Sequence, residues 1–149
     1  MILLMCRLCL AGLLFALPMV SSAAVEDDVL AATHTWAAAY NTRVTDNVVA
    51  LYAEDAVFWG TVSPIIRDTP ALVRDYFKGM PERPNARVEI GDYRVRVYGD
   101  VAINTGFYTF SNVTDGVKSA TKARFTFGYR RTPSGDWEIV SHHSSRLPE

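Results

Sequence analysis

The chain has 149 residues, enough for one domain with a real core, and its formal charge is −1 from 15 basic and 16 acidic residues. That balance excludes the basic surface that a nucleic acid or an anionic membrane would require. Its two cysteines, Cys6 and Cys9, both fall within the first ten residues.

Leu8 to Val20 is an uncharged apolar run. Arg7 precedes it, and Ser21-Ser22-Ala23-Ala24 follows. A basic residue, a short apolar stretch and small residues form the pattern of a secretory signal peptide, too short for a membrane span. The expected organisation is a signal peptide over 1–24 and one domain over 25–149. Cleavage removes both cysteines, so the mature chain has no disulfide, no thiolate nucleophile and no cysteine metal site. The expected address is the periplasm or the exterior, with no membrane attachment after cleavage.

Glu26, Asp27 and Asp28 open a helix, where acids oppose the positive end of the helix dipole. Val29, Leu30, Thr33, Trp36, Ala37 and Tyr40 recur at helical spacing, and Asn41 ends the pattern. Thr45 and Asp46 are candidate caps for a shorter helix. Ala56 to Trp59 is a short strand that Gly60 stops, and Ile65-Ile66 is a candidate partner for it. Thr69-Pro70 starts a third helix. Pro81 and Pro84 stop its continuation.

The chain then changes character. Arg87 to Tyr98 alternates as a strand, with a phase slip at Gly91-Asp92 that predicts a bulge. Gly99-Asp100 is a tight turn. Val101 to Phe110, Lys122 to Arg131 and Trp137 to Arg146 follow as strands. Asn112 to Gly116 reads as a looser turn between the first two of these. Helices first and a long meander after predict an α+β fold. In it a cone-shaped, strongly curved antiparallel sheet packs on about three N-terminal helices and leaves a cavity at its open end.

Leu51-Tyr52-Ala53-Glu54-Asp55-Ala56-Val57-Phe58 resembles the helix-to-first-strand passage of the nuclear transport factor 2-like superfamily. The last third is more specific. Arg124 to Arg131, a turn, then Gly135 to Ser145 is similar to the calcium/calmodulin-dependent protein kinase II association domain, in its bacterial SgcJ/EcaC-type branch. Phe58-Trp59-Gly60-Thr61 fits the same branch. The resemblance spans roughly residues 26–149. It implies a fold and a habit of dimerising through the outer face of the sheet. It does not imply kinase activity, since no glycine-rich nucleotide loop or kinase motif is present. The family's inner arginines have no counterpart, because Phe107, Thr126 and Ser144 stand at those positions.

Strict alternation divides the last strands into two faces. One carries Phe125, Phe127, Tyr129, Trp137 and Ile139, and is expected to be the outer, homodimer-forming face. The other carries Arg124, Thr126, His142 and Ser144, and is expected to line the cavity. Tyr40, Trp36 and Phe58 reach the cavity from the helices and the first strand. An arginine there would hold a carboxylate or a phosphate, and a histidine would serve as acid or base. His142 and His143, adjacent on a strand, point to opposite faces and cannot chelate one metal ion. No cofactor motif is present.

The reading is therefore an exported, non-catalytic homo-oligomer with a cavity for a small acidic or apolar ligand. The alternative is a cofactor-independent enzyme acting on a small organic substrate by isomerisation, cyclisation or oxidation. Such an enzyme would need a base in the pocket.

Overall fold

A computed structural model describes residues 21–148. The expected signal segment lies outside that range except for Ser21 to Ala24, and Ser22 to Ala24 form the start of the first helix. Three helices precede most of the sheet: α1 (Ser22–Thr42), α2 (Thr45–Val49) and α3 (Pro70–Phe77). The strands are β1 (Tyr52–Trp59), β2 (Arg87–Tyr98), β3 (Val101–Thr114), β4 (Val117–Arg131) and β5 (Trp137–Arg146).

The sheet order is β1-β5-β4-β3-β2. The four later strands pair antiparallel, as the meander predicts. β1 joins β5 in parallel, so the sheet is mixed. The fold class is α+β, with the helices on one face. Arg67, not Ile65 or Ile66, bridges β1, bonding to both backbone groups of Phe58. Ile65 and Ile66 are exposed.

Helix α1 buries Val29, Thr33, Trp36, Ala37 and Tyr40, one stripe at helical spacing. It crosses the inner face of the sheet. Thr33 meets Tyr129 of β4, Trp36 packs on Phe127, and Asn41 reaches the edge strand β2. The Asn41 amide donates to Val88 O at 3.0 Å and accepts from Val88 N at 2.8 Å. It thus supplies the edge strand with one residue's worth of ladder bonds. Arg43, left-handed at φ 62°, then ends the helix. α3 starts as expected, with Thr69 accepting from the Leu72 amide and Pro70 in the first turn. In α2 the cap is Val44, and neither Thr45 nor Asp46 performs that role.

The looser turn expected at 112–116 is tight. β3 runs to Thr114 and β4 starts at Val117, because Asp115 (φ 52°) and Gly116 (φ 76°) both adopt the positive φ of a two-residue hairpin turn. The expected bulge at Gly91-Asp92 is present: Ile90 pairs with Tyr108 and Tyr93 with Gly106.

A second irregularity was not legible. Tyr129 pairs with Ile139 and Gly128 with Ser141, which leaves Val140 as an extra residue on β5. Strict alternation therefore fails along this strand. Ile139 faces the helices before the bulge, and His142 and Ser144 face them after it.

The expected outer face is corrected accordingly. Phe125, Phe127, Tyr129 and Ile139 lie in the core under α1, and Trp137 is half-buried against Arg131. Phe125 pairs with Ser144 and Phe127 with His142, so all four point inward. Arg124 pairs with Ser145 and Thr126 with His143, so these point outward, next to Phe107. The outer face instead exposes Val101, Ile103 and Phe107 of β3 and Val57 and Trp59 of β1.

Candidate functional site

A cavity of about 260 Å³ opens between the inner face of the sheet and the segment from Gly60 to Arg83. Four of the expected ligand residues line it: Tyr40, Phe58, His142 and Ser144. Phe107, Arg124 and Thr126 do not. They sit in a shallow groove on the outer face, where Arg124 Nε donates to Ser145 Oγ at 2.9 Å. Sequence reasoning missed Thr61, Tyr76, Tyr108, Arg83 and Arg146, which complete the walls and mouth.

The His142 ring is almost wholly enclosed, with 2% of the residue exposed. Phe127 stacks on it at 3.9 Å between centroids, and Trp36 meets it edge-on at 5.2 Å. Phe58 packs at 5.0 Å on a third side. One ring nitrogen, Nδ1, lies 2.7 Å from the Tyr52 hydroxyl, which also accepts from Trp36 Nε1 at 3.1 Å. The other, Nε2, is buried without a protein partner. Burial, with a smaller contribution from His143, pushes the imidazole pKa well below 6.5. His142 is therefore neutral at ordinary pH.

Beside it, Ser144 Oγ and Thr61 Oγ1 form a close hydrogen bond that ties β5 to the loop after β1. The Tyr108 hydroxyl lies buried on the same wall without a well-formed bond of its own. Burial raises its pKa far above the ordinary phenol range, so it is a neutral donor. Tyr76 forms the facing wall. The Arg67 guanidinium lies 5.3 Å from the Tyr76 ring, on a residue that is itself buried. Gly60 makes this approach feasible, since a Cβ there would stand 2.3 Å from a Tyr76 ring carbon.

Arg83, from the turn before β2, and Arg146, at the end of β5, are exposed residues that line the mouth. Among the described residues no Asp or Glu lines this cavity. The interior is thus aromatic with neutral donors, and the entrance is positive.

A family model described as the SnoaL-like domain matches residues 29–148. The chain belongs to the SnoaL-like domain family. No curated protein matches it. A putative calcium/calmodulin-dependent protein kinase II association domain from Xanthomonas campestris is 36% identical over 91% of this chain and 94% of that one, with a TM-score of 0.76. A putative dehydratase of the NTF2-like family from Streptomyces avermitilis is 20% identical over 87% of this chain and all of that one, with a TM-score of 0.76. An NTF2-like superfamily protein from Salmonella enterica is 14% identical over 87% of this chain and 95% of that one, with a TM-score of 0.73. At 20% and 14% identity the likeness is one of fold. These matches agree with the nuclear transport factor 2-like superfamily and association-domain resemblance of the sequence.

In this SnoaL-like domain the two histidines of β5 point to opposite sides. His142 enters the cavity, and His143 meets Trp59 on the outer face at 5.9 Å. The missed residue Tyr108 had a usable signal. It alternates with Phe110 on β3, in phase with the buried Ala102 and Asn104. Arg83 and Arg146 had none, because each lies at the end of an irregular or terminal segment.

Proposed function

We propose that the mature chain is an exported, non-catalytic, homo-oligomeric domain whose cavity holds a small organic acid with an apolar body. The cavity carries this reading: enclosed aromatic walls, unpaired neutral donors inside and two arginines at the mouth. A cavity of about 150 Å³ accepts benzene, so one of about 260 Å³ accommodates a substituted ring with its carboxylate at the entrance. Arg83 and Arg146 would meet that carboxylate, the role expected of Arg124. A cavity without a carboxylate of its own favours binding over proton abstraction.

Self-association is supported by the apolar outer face, where Val101, Ile103 and Phe107 are 47%, 39% and 49% exposed. Export rests on the N-terminal sequence pattern alone.

Isothermal titration of residues 25–149 with aromatic carboxylates such as 4-acetylbenzoate tests the binding. Saturable binding that weakens at least about tenfold in Arg83→Gln/Arg146→Gln supports it. No binding across the panel, or binding indifferent to both changes, defeats it. A turnover assay with ketone and hydroxy-acid substrates tests the non-catalytic part, and activity lost in His142→Gln would reverse it.

A further inference from the structure

The hydrogen bonds around His142 leave one consistent assignment of protons. The Trp36 indole N–H only donates. It reaches the Tyr52 hydroxyl, so the Tyr52 oxygen accepts there. The Tyr52 O–H then turns to His142 Nδ1, its other hydrogen-bond partner among the described residues. Nδ1 must therefore be the bare nitrogen, and the ring proton sits on Nε2. The opposite tautomer would place two donors on the Tyr52 oxygen and leave its own proton without an acceptor. An enclosed hydroxyl proton without an acceptor bears its full desolvation penalty. Nε2 is the nitrogen that lacks a protein partner, on a residue that lines the cavity.

We propose that Tyr52 is a positioning residue that locks His142 as the Nε2–H tautomer, so that the cavity's ligand turns a neutral oxygen acceptor, a carbonyl or an ether, toward His142. The ligand half rests on the cavity-binding reading above; the tautomer is a property of the free protein. A histidine held in this way donates and does not abstract a proton. The Tyr108 hydroxyl, buried on that wall beside Ser144 and Thr61 without a well-formed bond, adds a second donor. A ligand whose inner end is an amine or amidine would find no acceptor at His142 Nε2–H and is disfavoured there.

Long-range proton–nitrogen correlation spectra of the free protein read the tautomer directly. The expected result is a bare Nδ1 and a protonated Nε2. A proton on Nδ1, or on both nitrogens, overturns the assignment. In Tyr52→Phe the lock is absent, and a mixture of tautomers is expected; a folded variant with the tautomer unchanged overturns the role of Tyr52. If that variant does not fold, the wild-type spectra take its place: an unprotonated Nδ1 shifted by an accepted hydrogen bond supports the lock, and an unprotonated Nδ1 with a free lone pair counts equally against it.

The ligand half is read by titrating 4-acetylbenzoate against 4-isopropylbenzoate, which share shape and charge but differ in the inner oxygen. The acetyl compound should bind about tenfold tighter and shift the Nε2 resonance. Equal or reversed affinities overturn the acceptor preference. If neither binds, the cavity reading fails and the ligand half with it, while the nitrogen spectra still decide the tautomer.

Discussion

Phe127 and His142 are cross-strand partners whose rings stack at 3.9 Å, and this pairing seals the inner end of the cavity. The contact exists because Val140 bulges out of the β4–β5 ladder and reverses the phase of the strand beyond it. His142 is thereby enclosed by aromatic rings, and its protonation becomes a stability term.

In the folded chain His142 stays neutral below the pH at which the unfolded chain protonates it. Its contribution is fully present above the unfolded value of about 6.5 and is lost as pH falls toward the depressed folded value. About one unit below 6.5 the stability should fall with a slope approaching one proton, about 1.4 kcal/mol per pH unit. Chemical denaturation from pH 7.5 to 5 in wild type and His142→Gln measures it. The difference between the two curves should carry that slope, and parallel curves would refute it.

Thr33 holds a fully buried polar cluster. It donates to Val29 O and accepts from Tyr129 O–H at 2.9 Å and Asn104 Nδ2 at 2.8 Å. Thr33→Val keeps the shape and strands both donors. It should cost about 2–4 kcal/mol in urea denaturation, well above a typical surface change. A loss below about 0.5 kcal/mol would mean that the donors find other acceptors.

Asn41→Ala removes both bonds to the backbone of Val88, on the edge strand β2. A loss of about 1–3 kcal/mol is expected, with faster amide exchange at Val88 than elsewhere in the sheet. Uniform exchange across the sheet would show that the clamp is not local.

Gly60→Ala should displace Tyr76, whose ring occupies the space a Cβ needs. The ring also packs against Phe58 at 4.9 Å and Arg67 at 5.3 Å, so it cannot move alone. Binding of 4-acetylbenzoate should weaken at least about tenfold, with a stability loss of about 1–3 kcal/mol. Unchanged affinity in a folded variant would detach Tyr76 from the site.

Ile103→Lys places a charge in the exposed apolar outer face without touching the core. Light scattering should show wild-type oligomers at micromolar concentration and a monomer in the variant, with thermal stability otherwise close to wild type. A monomeric wild type removes the interface proposal altogether.

The sequence made the helices and most strand limits legible because their signals are local. Thr69-Pro70 caps α3 by its own hydroxyl and ring, and Gly91-Asp92 announces its bulge by a visible slip in alternation. Val140 gives no such sign. It is a β-branched residue following the β-branched Ile139, with no glycine beside it. That one position brings His142 and Ser144 to the face of Ile139 and the aromatic row of β4, so the histidine and Arg124, expected together, stand on opposite faces. Arg83 and Arg146 acquire meaning only when the fold brings the α3–β2 turn beside the end of β5.

The bulge has one more consequence. The residues beyond it read His142-His143-Ser144-Ser145, so each side chain is doubled. Sliding the strand by one position would still deliver an imidazole and a hydroxyl to the interior. The message is written twice, once for each frame, and the polar chemistry alone cannot tell the frames apart. What distinguishes them is the stretch before Val140, where only one frame buries Ile139. The apolar half of β5 thus acts as the reading head for its polar half.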